Sequence, residues 1–257
     1  MLGALGATAC IPLTREEVAA SLEEAELFSQ AATLIGNTVD LSSGFTIGGA
    51  VEDSMENLRE FYESQLPCAE VTLEDGTLAV EYGATGTSCI HKGMAFTGRH
   101  EVTVSVVSAK SIVVDHLWTD LSNGKMQVNG TARVTWKGAD DASRRVVHDL
   151  MWERLSDGRT ANGTGDRTQR PLDGDLAVGI TVSGDAEWDG ESGLWDLRID
   201  DVDMRWVDPV PQAGSYLLAT PFDQSVEFSF ERTAPKNVHV TAKTGDRKYE
   251  SDVKTVE

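Results

Sequence analysis

Four acidic residues in the second half of the chain have a spacing that could hold a divalent cation. Asp185, Glu187 and Asp189 occupy alternate positions, a glycine follows them, and Asp196 comes shortly afterwards. Ca²⁺ prefers carboxylate and carbonyl oxygens, and a glycine allows the sharp turn that a short loop needs to surround the ion. These four carboxylates therefore form a candidate calcium site.

This segment resembles the EF-hand calcium loop, in which D-x-[DN]-x-[DN]-G precedes an acidic residue at the twelfth position. It departs from that pattern with Glu187 at the third position, Ser192 at the eighth, and Asp196 in place of glutamate at the twelfth. Its flanks are strand-like, so the resemblance implies a calcium loop between strands. The alternative is that the acids take the water-facing positions of a strand whose intervening side chains face the core.

Motifs for nucleophilic or metal-dependent catalysis are absent from the sequence. It has no G-x-S-x-G elbow, and its five histidines show no H-E-x-x-H spacing. His148 lies in one segment with Asp149 and Glu153, which are residue types of general acid–base sites. Strand alternation places His148 on one side and the two carboxylates on the other, so the sequence argues against catalysis there.

The chain is strongly acidic, with a formal net charge of −20 over 257 residues. Binding to nucleic-acid phosphates needs clustered lysine and arginine, so this charge argues against nucleic acid as a partner. Residues 144–170 contain six arginines, which are expected to form cross-strand ion pairs on an exposed face. They are Arg144, Arg145, Arg154, Arg159, Arg167 and Arg170. No apolar run reaches the ~18 residues that a membrane helix needs, so membrane contact is expected only through a lipid anchor.

The first ten residues, MLGALGATAC, are small and mostly apolar and end on Cys10. This resembles the last part of the signal of bacterial envelope lipoproteins, in which small residues precede the cysteine that is lipidated and becomes the new N-terminus. The resemblance implies lipidation of Cys10 and a place in the bacterial cell envelope, at the outer membrane or in the periplasm, with secretion as the alternative. Residues 1–13 are then a signal remnant or tether; otherwise they are a short tail.

Cys68 and Cys89 are the other two cysteines. If Cys10 carries lipid, these two remain as a pair, and a disulfide between them would close a loop of about 20 residues, worth ~3 kcal/mol in the chain-entropy model. Such a bond implies an oxidising compartment. In a cytosolic protein both would instead be small buried apolar residues.

Two helices are predicted before residue 70. Thr14 and Glu17 form a capping box that begins a helix over 15–35, and Gly36 is expected to end it. Its apolar residues recur at spacings of three and four: Val18, Leu22, Ala25, Phe28, Ala32 and Ile35. A second helix is predicted over 50–66, before Pro67.

Beyond residue 70 the hydrophobic period changes to two, which indicates strands. Two similar segments, 117–131 and 151–164, contain Asn123-Gly124 and Asp157-Gly158, dipeptides that favour two-residue hairpin turns. The apolar face changes parity at Asp200-Asp201, which predicts a β-bulge. Six tryptophans fall on the predicted strands and are expected to be mostly core residues.

The predicted fold is mainly β (α+β): a large antiparallel meander sheet, sandwich or open barrel, with the two N-terminal helices packed on it, in one β-rich domain over 14–257.

The expected function is that of an exported, lipid-anchored, non-enzymatic envelope protein with a structural or binding role. One alternative is a carrier of a lipid or other hydrophobic ligand in an open β-barrel with helices in its mouth, as in lipoprotein carrier proteins, which requires an apolar cavity lined by tryptophans. Another is a hydrolase acting on envelope polymers. No cofactor is expected apart from Ca²⁺, and the protein partner or hydrophobic ligand is unknown.

Overall fold

The computed structural model describes residues 14–43, 51–84, 86, 89–91, 93–108, 111–137, 143–175 and 178–256. Within them two helices, α1 (Arg15–Ser43) and α2 (Val51–Gln65), precede fourteen strands. The strands are β1 (Glu70–Glu74), β2 (Thr77–Tyr82), β3 (Cys89–His91), β4 (Met94–Ser108), β5 (Ser111–Ser122), β6 (Met126–Lys137), β7 (Arg144–Arg154), β8 (Arg159–Pro171), β9 (Gly179–Gly190), β10 (Gly193–Arg205), β11 (Ala213–Ala219), β12 (Ser225–Ala234), β13 (Asn237–Thr244) and β14 (Arg247–Lys254). Cys10 and Ala50 lie outside the described residues.

The strands form one antiparallel meander, which confirms the predicted fold class. From β4 to β14 each strand pairs with the next in the chain; β2 joins β1 to β4, and β3 pairs with β4 alone. β1 and β14 do not pair with each other, so the sheet is not closed. The connections are short because neighbouring antiparallel strands need only a hairpin turn.

Turn chemistry accounts for the hairpins, although two turns are longer than predicted. Asp75 and Gly76, both with positive φ, form a two-residue turn between β1 and β2. The connections at Gly124 and Gly158 span 123–125 and 155–158, not two residues as expected. In the first, the Asn123 side chain accepts hydrogen bonds from two backbone amides of its own turn, which stabilises the longer loop.

The predicted bulge in β10 is confirmed. The pairing of β10 with β9 shifts between Ile199 and Val202, and Asp201 has a φ of 42°. The extra residue returns Val202 to the buried side of the sheet, as the change in parity required.

Helix α1 begins at the predicted capping box but ends later than predicted. The Thr14 amide donates to Glu17 Oε2 at 2.6 Å, and the Glu17 amide donates to Thr14 Oγ1 at 3.2 Å. The helix then continues through Gly36 to Ser43, because its last turns are buried against the sheet, where the indole of Trp118 donates to Thr38 Oγ1 at 3.1 Å. Tertiary packing thus outweighs the weak helix preference of glycine.

The buried side of α1 is also rotated relative to the predicted stripe. Ile35 is buried as predicted, but Leu27, Ala31 and Leu34, which lie off the predicted stripe, are also buried, whereas Val18 of the stripe is 40% exposed. Phe28 is half-buried and stacks on Trp188 with ring centroids 4.6 Å apart. The predicted stripe therefore forms one edge of the helix–sheet contact rather than its centre.

Five of the six tryptophans are buried on the inner face of the sheet, beneath the helices; they are Trp118, Trp136, Trp152, Trp188 and Trp195. Trp188 lies over a glycine of the neighbouring strand: a Cβ on Gly163 would come within 2.6 Å of the Trp188 Cβ. Trp206 is the exception, with 50% exposure, because β10 ends one residue before it.

The disulfide between Cys68 and Cys89 is present, as predicted. It ties the segment that follows α2 to β3, whose only partner among the described strands is β4. This cross-link fixes a peripheral strand that has few other pairing interactions.

Candidate functional site

The four carboxylates of the predicted calcium site are exposed on the outer face of the sheet. Asp185, Glu187 and Asp189 follow one another along β9, where successive side chains on one face are ~7 Å apart. Asp196 pairs directly opposite Glu187, and Asp185 lies between Asp166 and Arg198 of the neighbouring strands. Among the described residues, no group of three or more His, Cys, Asp or Glu side chains is arranged to hold a metal ion. Calcium binding stays a prediction from the sequence.

His148, Asp149 and Glu153 diverge, as strand alternation predicted. His148 is buried on the inner face, whereas Asp149 is exposed on the outer face. Burial, reinforced by the positive charge of Arg167, lowers the pKa of His148 to about 3. This histidine is therefore a neutral ring at ordinary pH, without a carboxylate partner to activate it.

A cleft of about 580 Å³ lies on the opposite, inner face, between α1 and the sheet. Its walls are mostly apolar and aromatic; they come from α1 and from β8 to β12, with one residue of β7. These wall residues include Phe28, Ala32, Ile180, Val182, Trp188, Leu197, Ile199, Met204, Trp206, Tyr216, Leu218 and Phe228. Pockets of this size and composition are typical of small-molecule sites.

The cleft exists because α1 and α2 cover only part of a long sheet. One core cluster is packed beneath the helices, from Leu27 to Trp195 and Leu218. A second, smaller cluster on β9 and β10 contains Ile180 and Val202 and belongs to a separate part of the inner face. Ile180 lines the cleft, as do Trp188 and Leu218 of the first cluster, so the space lies between two filled regions.

A second apolar cavity of about 230 Å³ continues the cleft towards the end of the sheet. It is lined by α1 and by β11 to β14, and it shares Ala25, Leu218 and Phe228 with the larger cleft. Ala242 and Tyr249 form part of its far wall. The two spaces together make one elongated apolar groove.

Two arginines stand in the wall of this groove, and sequence reasoning placed both wrongly on an exposed face. Arg144 is buried; it pairs with Asp40 of α1 at 2.8 Å and lies over the Trp136 ring at 5.1 Å. Arg167 is half-buried and has no carboxylate partner among the described residues; its one polar contact is with His148 Nδ1, at 3.4 Å. Burial, with a smaller contribution from the like charge of Arg144, lowers the pKa of the Arg167 guanidinium.

Parity along the strands was the signal that could have located these arginines. Arg167 has the same parity as Gly163 and Gly165, and Arg144 has the same parity as Val146 and His148. The alternation that placed those residues inside also places the two arginines inside. The expected surface ion pair does occur at Arg145 and Asp166, which are exposed.

The groove is thus an apolar space with one positive charge at one end, that of Arg167, which has no carboxylate partner among the described residues. Neither α1 nor α2, the helices of the described residues, is long and apolar enough to cross a membrane. No protein-family model, no curated protein and no solved structure matches this chain.

Proposed function

We propose that this protein binds a hydrophobic ligand in the groove beneath α1, as a non-enzymatic component of the bacterial envelope. The observation that carries this proposal is the cleft of about 580 Å³ between two filled regions of core. Protein interiors are close-packed, with few voids larger than a water molecule. A purely structural protein of this fold would close that space with side chains, so its persistence favours the binding role over the scaffold role.

The wall chemistry supports a hydrophobic ligand over a sugar or a nucleotide. Trp188, Tyr216 and Phe228 present apolar or aromatic surface, and the polar groups of the cleft are concentrated near Asp40 and Arg144. An apolar ligand that replaced water along this wall would gain ~25 cal/mol for each Å² of apolar surface removed from water.

Filling the groove from α1 is expected to weaken ligand binding strongly. Ala32 is half-buried and lines the cleft, so Ala32→Phe places a ring in the space that the ligand would occupy. We expect the affinity for the neutral fluorescent probe N-phenyl-1-naphthylamine to fall by about 10- to 100-fold, since blocked apolar contacts are worth ~1.5–3 kcal/mol per large side chain. Fluorescence titration measures this.

The matched control is Ala19→Phe, an identical change at an exposed position of the same helix. It should leave the dissociation constant of the probe unchanged. Absence of saturable probe binding to the native protein, or equal loss in the two variants, would contradict the proposal.

We further propose that the chain is exported and anchored by lipid on Cys10. The disulfide between Cys68 and Cys89 supports an oxidising compartment, because such bonds are rare in the cytosol. The small apolar residues before Cys10 support lipidation. Expression of the full gene in a bacterial host should give a membrane-bound product with diacylglycerol on Cys10, detected by mass spectrometry. A free Cys10 thiol in a membrane-free fraction would contradict the anchor and leave the ligand proposal standing.

A further inference from the structure

We infer that the ligand of the groove is an amphipathic anion: its carboxylate or phosphate head is bound by Arg167, and its alkyl tail lies across the inner face of β9 to β12. This inference rests on the proposed ligand-binding function and names the chemical class of the ligand.

Arg167 is the first reason. Its guanidinium stands in a mostly apolar wall, with no carboxylate partner among the described residues, and its Nε is buried without a hydrogen-bond acceptor. A charge in such a place is costly unless it is paired. The nearest basic neighbour, Arg144, already holds Asp40 at 2.8 Å, which leaves Arg167 as the uncompensated charge. An anionic head entering the cleft would supply the missing partner in bidentate geometry.

The register of the sheet is the second reason. Arg167 belongs to one inward-facing cross-strand row that continues through Gly184, Ile199, Tyr216 and Phe228. The side chains of Ile199, Tyr216 and Phe228 line the cleft. Beyond Arg167 the row is therefore apolar or aromatic, which suits an alkyl chain and not a second polar group.

The length of this row matches an extended tail. Arg167 on β8 and Phe228 on β12 are four strand spacings apart, which is ~19 Å. The row continues to Ala242 and Tyr249, and both line the smaller cavity that extends the cleft. A tail can thus lie along the groove with its end in that cavity.

Gly184 makes room beside the head. It is the member of the row directly next to Arg167, and a Cβ there would lie 2.1 Å from the Asp166 carbonyl oxygen. Its φ of +140° favours glycine, so the position beside the guanidinium carries no side chain. This absence keeps the guanidinium accessible from the cleft.

The test compares ligands that share a tail and differ in the head. Dodecanoate, dodecyl phosphate, dodecanol and inorganic phosphate are each titrated against the complex with N-phenyl-1-naphthylamine. The native protein should bind dodecanoate and dodecyl phosphate about tenfold or more tightly than dodecanol, because a charge-assisted bidentate pair adds to equal tail contacts. Inorganic phosphate should not displace the probe.

Arg167→Gln should bring the ratio of dodecanoate to dodecanol affinity to about one, because the amide has no charge to pair with the anionic head. Arg167→Lys, which keeps the charge and loses the planar fork, should retain part of the preference. The matched control is Arg170→Gln, an exposed arginine of the same strand, which should keep the native ratio. Thermal melting confirms that each variant is folded.

The claim that Arg167 binds an anionic head would be contradicted by equal affinity for dodecanoate and dodecanol in the native protein, or by an unchanged ratio in Arg167→Gln. Binding of the neutral ligands would in that case still support the groove as a binding site. Binding of inorganic phosphate as tight as that of dodecyl phosphate would contradict the claim that an alkyl tail binds along the groove. Failure of every compound, the neutral probe included, would overturn the proposed function itself.

Discussion

Replacing Arg159 with methionine is expected to lower the free energy of unfolding by about 3–5 kcal/mol, the usual cost of leaving a buried charge without its partner. Arg159 joins the β7–β8 hairpin to α1: its Nη1 lies 2.6 Å from Glu23 and its Nη2 2.5 Å from Glu24. Its Nε lies 3.2 Å from Glu191. Denaturant unfolding followed by circular dichroism measures the change.

Glu24 is the reason for the size of this effect. Its side chain is 1% exposed, and desolvation raises its pKa, which the charge of Arg159 partly opposes. Without Arg159, the buried Glu24 carboxylate would lose its main counterion and keep only its contact with the Trp188 side chain and the smaller effect of the charge of Arg154. The side-chain volume of methionine preserves most of the packing, so the loss reports mainly on the charge.

Two further variants make the experiment specific. The matched control is Arg170→Met, an exposed arginine on the same strand, expected to change stability by ~0.5 kcal/mol or less. Adding Glu24→Leu to Arg159→Met should recover most of the loss, since removing both partners of a buried pair is often close to neutral. A loss below ~1 kcal/mol in Arg159→Met would show that the pair does not hold α1 on the sheet.

Acidification is expected to destabilise the protein by several kcal/mol between pH 6.5 and about 4. Three histidines are buried on the inner face: His100, His116 and His148. Burial lowers the pKa of His116 and that of His148 to about 3. Burial also lowers the pKa of His100 well below its usual value, and the neighbouring His116 lowers the pKa of His100 further. His100 and His116 share a hydrogen bond of 3.0 Å and stack on Trp118.

The direction follows from proton linkage. Between about pH 3 and 6.5 the unfolded chain binds protons at these positions and the folded chain does not, so stability falls as the pH falls through this window. Each such histidine contributes a slope of at most ~1.4 kcal/mol per pH unit. Carboxylates held by ion pairs, such as Asp157 and Asp166, have lowered pKa values and add to the loss only at more acidic pH.

Urea unfolding at half-unit pH intervals measures this slope. His148→Gln removes one titrating group and should make the slope shallower. The control is His239→Gln. Hydrogen bonds to Asp252 and, secondly, to Glu250 raise the pKa of His239, so this residue stabilises the fold as the pH falls. Its loss should therefore not make the slope shallower. Equal stability at pH 7 and pH 4.5 would show that the three rings are protonated in the folded state.

Local chemistry made much of the fold predictable. The capping box at Thr14, the Asp75-Gly76 turn and the change of parity at Asp201 involve interactions within a few residues, and each has the predicted role in the structure. Alternation also assigned the buried tryptophans to the inner face, because every second side chain of a strand points the same way.

Long-range packing decided the rest. Helix α1 passes Gly36 because the sheet buries the next two turns, and no residue near Gly36 carries that information. Arg144 and Arg167 had the parity of inner residues, but the abundance of acids nearby favoured surface ion pairs, and only the assembled sheet shows which carboxylates lie within reach.

The sequence by itself determined where the helices and most strands lie, where the hairpin turns fall and which side of most strands is buried, since these depend on residues close together in the chain. The tertiary structure alone decided that the meander stays open, that α1 covers only part of it, and that an uncompensated guanidinium faces the space left over. The physical reason is that cavity volume and charge pairing are properties of surfaces brought together from distant segments, here α1 and β8 to β12, and no local pattern encodes the distance between them.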